Sequence, residues 1–299
     1  MLLTVQMIKM TFLTVTLTFG IILNSFIVAV SLRDWKKQRN LSVCDQIILT
    51  MGCSNLIFQC LVTFEGPYLV FGLYQQFHKE SAVAVYIVFY FFVYVWFWNM
   101  AWLSICYCFR LVRCSHWFFI RLQNRISSSV TQILLGSWGF LLIMNIPLIW
   151  TLHLEARQNT TITTTIEDFN FQPNLQYLFF NIIVGSCLPT LITSISVGLS
   201  LVSLVSHVWR MKHNTNHSGF PELKIYIKPC ITMFLLMLMG ALYLLATSIY
   251  VLRKFSMGHF WDVVCFLFLR SSPLTQAVIV IFGNSKFQVA WLKICFQRE

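Results

Sequence analysis

Two charged residues lie where charge is expensive. Glu65 precedes Pro67 by two residues and Arg270 precedes Pro273 by three, each about two turns inside a long apolar run. An ionisable side chain in such a run is paired, wet or in contact with a ligand. The two are expected to face one cavity and pair with each other. Two other roles stay open for Arg270: snorkelling or satisfying backbone carbonyls near Pro273, and contacting an anionic or acceptor-rich ligand. Residues 86–100 read YIVFYFFVYVWFWNM. They are aromatic on every side, so periodicity selects no face, and helix packing or lipid contact competes with ligand stacking. No nucleophile–base pair, paired carboxylate or metal-ligand spacing recurs in these runs, so an enzyme, a cofactor and a metal are not expected.

The elements that must position these groups are membrane helices. Apolar residues make up 58% of the chain and charged residues 10%, with mean hydropathy +0.72, far from soluble averages of roughly half and a quarter. Seven apolar runs span approximately 5–32, 44–71, 82–109, 129–151, 175–208, 229–252 and 260–282, each near the roughly 20 residues a bilayer requires. Short polar links join them, which implies one integral membrane domain, all-α, over 1–299. The first run is too long for the apolar part of a signal peptide and lacks a cleavage-site pattern, so it reads as the first anchor.

Charge placement orients the bundle. Arg33, Lys36, Lys37, Arg39, Arg110, Arg113, Arg121, Arg125, Arg210, Lys212, Lys224, Lys228, Lys286, Lys293 and Arg298 all fall on one side, fifteen of 21 basic residues. Lys9, Lys79, Arg157, Arg253 and Lys254 fall on the other. The bias predicts an extracellular N-terminus and a cytoplasmic C-terminus in a multi-pass plasma-membrane protein. The net charge of +11 is then a topological signal, with no basic soluble face for nucleic acid. The segment KFQVAWLKICFQR places Phe287, Ala290, Trp291 and Ile294 on one face and reads as a short amphipathic helix on inner-leaflet lipid.

The ten cysteines fall in the spans or at their cytoplasmic ends, and the long outer loop 153–174 holds none. Most are read as small buried apolar residues, with no extracellular disulfide framework. Cys295 is a candidate for palmitoylation, with the unmodified thiol an equal reading. Of the three N-x-S/T sequons, Asn40 and Asn216 lie in cytoplasmic loops, and Asn159 in the outer loop is the expected glycosylation site.

Four ungapped blocks resemble the bitter taste receptors (taste receptor type 2 family). The first helix and loop supply Gly20, Ile21, Asn24, Phe26, Ile27, Asp34, Trp35, Lys37, Arg39, Leu41, Ser42, Asp45 and Ile47. The third helix and its loop match at Leu103, Ser104, Tyr107, Ser115, Phe119, Leu122, Arg125 and Ile126, with Arg110 in place of a lysine. Leu188, Pro189, Ser203, Leu204, His207 and Met211 match the fifth helix, and Pro273, Ile281, Gly283, Asn284 and Lys286 the end of the seventh. The hallmarks expected of a rhodopsin-like receptor are missing: helix three ends in FRLVR and helix seven in VIVIFGN.

The resemblance implies a G-protein-coupled chemosensory receptor that detects small bitter-type agonists between its helices and activates a gustducin-type (Gi-class) heterotrimeric G protein. It places ligand contacts at Phe89 and Val93, with Tyr86 and Tyr94 adjacent, and Tyr243, Phe266 and Leu269 completing a lining with Glu65 and Arg270. Trp98 matches a core tryptophan. Arg110, Arg113, Ser115, Arg121, Arg125, His207, Arg210 and Lys212 would face the G protein, although the positive-inside rule and anionic lipid also explain most of these charges. The chain departs from the family where Asn55 replaces an arginine and Gln276–Ala277 replace His-Ser. The expected result is a polar core of amides, Asn24, Asn55 and Gln276. A vomeronasal type 1-like receptor shares the seven-helix plan, and a small-molecule transporter is the alternative of different class, although no inverted repeat is seen. Homo- or hetero-oligomerisation is left open.

Overall fold

A computed structural model describes residues 2–38, 41–71, 79–112, 117–157, 168–173, 175–214, 220–252 and 259–296. The first three rods are α1 (Leu2–Gln38), α2 (Val43–Phe71) and α3 (Lys79–Leu111). Then come α4 (Trp117–Asn145), a short α5 (Leu148–Thr151) and strands β1 (Leu152–Arg157) and β2 (Asp168–Pro173). The fifth rod is α6 (Leu175–Ile182), a π-helical turn (Ile183–Cys187) and α7 (Leu188–Asn214). The sixth is α8 (Phe220–Leu252), and the seventh is α9 (His259–Arg270) with α10 (Ser272–Gly283). Helix α11 (Ser285–Phe296) follows. α3 is the central rod, packed against α2, α4, α7 and α8.

The bundle wears its apolar residues outside: Ile143 is 68% and Val202 67% exposed. Surfaces of this kind suit lipid and not water. Among the described residues, five helices are each long and apolar enough to cross a bilayer, and the α9–α10 pair, bent by 50°, makes a sixth span when counted together. The remaining rod, α4, is more polar because its first turns carry Arg121, Gln123, Asn124, Arg125 and three serines.

The bundle has two ends. Arg33, Lys36, Arg110, Arg125 and α11 gather at the basic end, and the β-hairpin lies at the other.

Several boundaries differ from expectation for local reasons. α1 runs six residues past the expected limit, because the DWKK segment has no breaker and its lysines suit the last turn of a helix. The fourth span, expected over 129–151, is a helix from Trp117 to Asn145 with Ser129 non-helical at φ −125°, ψ 20°. It stops where Pro147 removes an N–H and disfavours helical geometry before it. The expected all-α fold needs one addition, the antiparallel pair with Leu152 opposite Pro173 and Arg157 opposite Asp168. LHLEAR and DFNFQP both alternate with period two, as strands do.

In the fifth rod, the Leu188 amide donates to the Ile183 carbonyl across five residues. This widened turn lies just before Pro189, whose missing N–H would break the α-helical ladder. Gly185 sits in the widened turn, where a Cβ would enter the Tyr94 ring. α10 approaches α8 as closely, since a Cβ on Gly283 would fall inside the Thr232 side chain. Gly136 on α4 meets nothing within 4 Å. Gly283→Ala is expected to destabilise the detergent-solubilised protein by about 1–3 kcal/mol. Thr232→Ala in the same chain should recover part of the melting midpoint, since the Thr232 Cβ itself stays 2.9 Å from the added one, and Gly136→Ala should not lower it.

Candidate functional site

At the hairpin end, α2 and α9 bring Glu65 and Arg270 together. Arg270 Nη1 donates to Glu65 Oε2 at 2.5 Å, and each residue is 7% exposed. The guanidinium carbon lies 4.8 Å from the centroid of Phe89 and 5.7 Å from that of Phe266, within cation–π range. Lys9 of α1 stands 4.9 Å from the Phe266 ring centroid. Rings of α3 extend the wall: Tyr86 stacks on Tyr90 at 4.5 Å, Tyr90 meets Phe89 at 5.7 Å and Tyr94 at 6.1 Å. From α8, Tyr243 wedges against Trp96 and Phe97 at 5.2 and 5.5 Å. Val93 is buried in the core one turn along α3, and Leu269 packs against the same core. Tyr90 and Trp96 belong to this cluster but could not be selected from a run that is aromatic all round, and Lys9 of α1 was counted only as a charge on the outer side.

The amides meet deeper in the bundle. Asn55 Nδ2 donates to Asn24 Oδ1 at 3.1 Å and to Gln276 Oε1 at 2.8 Å. Asn24 Nδ2 in turn donates to the carbonyls of Gly20, at 2.9 Å, and Pro273, at 3.4 Å. All three amides are essentially buried. Beside them Asn99 Nδ2 donates to Ser54 Oγ at 3.1 Å, which extends the polar seam to α3. Trp98 lies on the neighbouring face of α3, 6.3 Å from Trp102.

The basic end is tied by side chains whose contacts the sequence did not show. Ser42 caps α2: its hydroxyl accepts from the Asp45 amide at 3.3 Å and donates to the Asp45 carboxylate at 2.7 Å. Lys286 bridges Asp34 at 3.0 Å and Asp45 at 3.1 Å, pinning the start of α11 to α1 and α2. Lys228 of α8 donates to Gln288 of α11 at 2.7 Å. Phe287 and Ala290 are buried, and Phe26 packs on Trp291 at 5.1 Å.

The expected amphipathic stripe of α11 is split. Phe287 and Ala290 face the bundle, and Ile294 is exposed with Val289 and Leu292.

Cys44 and Cys106 form a disulfide joining the entry of α2 to the end of α3. That corrects the reading of these two as plain buried thiols, a reading that fits Cys108, Cys230 and Cys265. Cys53, Cys60 and Cys187 are exposed on the rods.

Arg110, Arg121 and Arg125 are exposed at this end, and His207 is half-buried on α7. Arg113, Ser115 and Asn159 lie outside the described residues, as do the side chains of Arg210, Lys212 and Cys295. Among the described residues no group of three or more His, Cys, Asp or Glu could hold a metal.

The whole chain, residues 1–299, matches the family model described as Taste receptor protein (TAS2R). The chain belongs to this family. It is similar to taste receptor type 2 member 9 of Homo sapiens, 28% identical over 298 residues that cover 95% of this chain and 93% of the relative. Member 9 of Macaca mulatta is 27% identical, with 97% and 94% covered. Member 124 of Rattus norvegicus is 26% identical, with 92% and 89% covered. The protein is a multi-pass membrane receptor of the bitter taste, G-protein-coupled class and not an enzyme.

Two outcomes are expected of these contacts in the receptor. Glu65→Gln or Arg270→Met alone leaves one buried charge uncompensated and should cost about 3–5 kcal/mol of stability. The double variant should cost well under the sum of the two, measured by thermal unfolding in one detergent.

At Asp34, burial alone would raise the carboxyl, but Lys286 and Arg33 outweigh it and hold the group below its ordinary value. A carboxyl lowered by folding stabilises the folded state above its unfolded value, and the contribution is lost as pH falls through the folded one. Acidification below the usual carboxylate range should therefore loosen α11, read as faster hydrogen exchange over 285–296, and Lys286→Ala should flatten that dependence.

Proposed function

We propose that the receptor takes a small bitter-type agonist between its helices at the hairpin end and signals at the basic end to a gustducin-type heterotrimeric G protein of the Gi class. The observation that carries this reading is the buried Glu65–Arg270 pair framed by Phe89 and Phe266. Five rods, through α1, α2, α3, α8 and α9, contribute to one polar and aromatic cluster of the kind that recognises drug-sized molecules. Tyr86, Tyr94 and Tyr243 supply further ring faces and hydroxyls, with Val93 and Leu269 as apolar backing.

The basic end faces the cytoplasm in this reading, which follows the positive-inside rule and leaves the N-terminus outside a plasma-membrane protein built as one domain. Arg110, Arg121, Arg125 and His207 then stand where a Gα C-terminal helix docks, with Arg113, Ser115, Arg210 and Lys212 in the same segments. Exposed Val289, Leu292 and Ile294 of α11 rest on inner-leaflet lipid, Cys295 is open to palmitoylation, and Asn159 carries the glycan.

Cells expressing the receptor with a gustducin-type chimeric α subunit should give agonist-evoked calcium signals to members of a broad bitter panel. Phe89→Ala and Arg270→Ala should each reduce the response by at least about tenfold at matched surface expression. Intact responses in both variants would remove the ligand site from this end of the bundle.

A further inference from the structure

Read alone, an intramembrane arginine points to anionic ligands. Read with its partner, Arg270 does not. The guanidinium already has its counter-charge: Nη1 donates to Glu65 Oε2 at 2.5 Å, and both side chains are under one-tenth exposed. Rings lie against the guanidinium at 4.8 and 5.7 Å, which leaves its charge to be met mainly in the plane Glu65 already occupies. A ligand anion therefore either displaces the Glu65 carboxylate into an apolar wall or lies beside it as a like charge. A ligand cation on Glu65 sets the same problem for Arg270. In either case one buried charge ends without a counter-charge, the costliest arrangement available to a desolvated pair.

A ligand of zero net charge escapes this penalty. If it presents a hydrogen-bond donor beside an acceptor, the donor can add to Glu65 and the acceptor to Arg270, and the site stays neutral. Two chemistries share this property: a neutral dipole such as a carboxamide, and a zwitterion whose ammonium and carboxylate insert into the pair. Tyr86 and Tyr243, set among the same rings, add hydroxyls that can donate or accept without changing the charge. Phe89, Tyr90 and Phe266 provide faces for an aromatic ligand body.

We propose that the Glu65–Arg270 pair makes this receptor selective for electroneutral aromatic ligands carrying adjacent donor and acceptor groups, and that it rejects singly charged congeners of the same scaffold. This rests on the ligand site proposed above.

The test is a set of phenyl, naphthyl and indolyl scaffolds, each prepared as a primary carboxamide, an α-amino acid, a carboxylate and a primary amine. Binding is read as the thermal shift of the purified full-length receptor, and activation as calcium release. Hits are expected among carboxamides or amino acids, and which arm responds separates the neutral dipole from the zwitterion. The carboxylate and amine of a responding scaffold should be weaker by roughly a hundredfold.

Glu65→Gln should bring the carboxylate series up to the level of the neutral one, and Arg270→Gln should do the same for the amines. The swap Glu65→Arg with Arg270→Glu, which keeps a pair and serves if a single variant does not fold, should retain the preference for zero net charge. Equal wild-type affinity across the four charge forms, or the same preference in both single variants, overturns the proposal. No shift with any member, in wild type or variants, removes the ligand site itself and the selectivity with it.

Discussion

One amide nitrogen holds three rods together. Asn55 uses both of its N–H bonds, one on Asn24 of α1 and the other on Gln276 of α10. Inside a bilayer the usual escape for a strained polar group, a bond to bulk water, is closed. Each of these amides is therefore bound to the others' positions, and α1, α2 and α10 can slide only by breaking the set. The close approach of α10 to α8 at Gly283 and the pinning of α11 through Lys286 are arranged around that fixed point. Where family members carry a guanidinium at this place, the chain holds a neutral side chain with fewer donors. The seam is held by complementarity among amides and not by a buried cation.

The seven rods were legible because their length and apolarity follow from the medium, whatever the detail of packing. Glu65 and Arg270 were legible for the same reason: an isolated charge in an apolar run demands a partner, and each run offered one charge away from its first turn. The α3 wall was not. With aromatics at nearly every position of 86–100, no periodicity could show that Tyr90 joins Phe89 or that Trp96 and Phe97 clasp Tyr243. That choice is made by the rods around α3.

Other misses have different physical origins. The strands at 152–157 and 168–173 did signal themselves through period-two alternation, but in six-residue pieces beside a long polar loop. The Cys44–Cys106 bond joins residues 62 positions apart, so it depends on the relative rotation of two helices, which no local pattern encodes. Lys286 stood out only as a matched position and as one of the basic residues that orient the bundle. Its two carboxylate partners come from separate helices that the fold brings to one corner.

The seventh rod is two rigid pieces meeting at Ser271, bent by 50°. Arg270 ends the outer piece, and Gln276 belongs to the first turns of the inner one. Ser271 keeps near-helical angles, φ −83° and ψ −6°, and Pro273 lacks its own amide, so the bend is bridged by the Ser271 amide on Leu267, the Thr275 amide on Ser271 and the Ser272 hydroxyl on Leu269. Such a joint works like an elbow with a load on each forearm. Arg270 and Gln276 stand six residues apart on either side of this joint, so any change in the bend changes the distance between the ion pair and the amide seam.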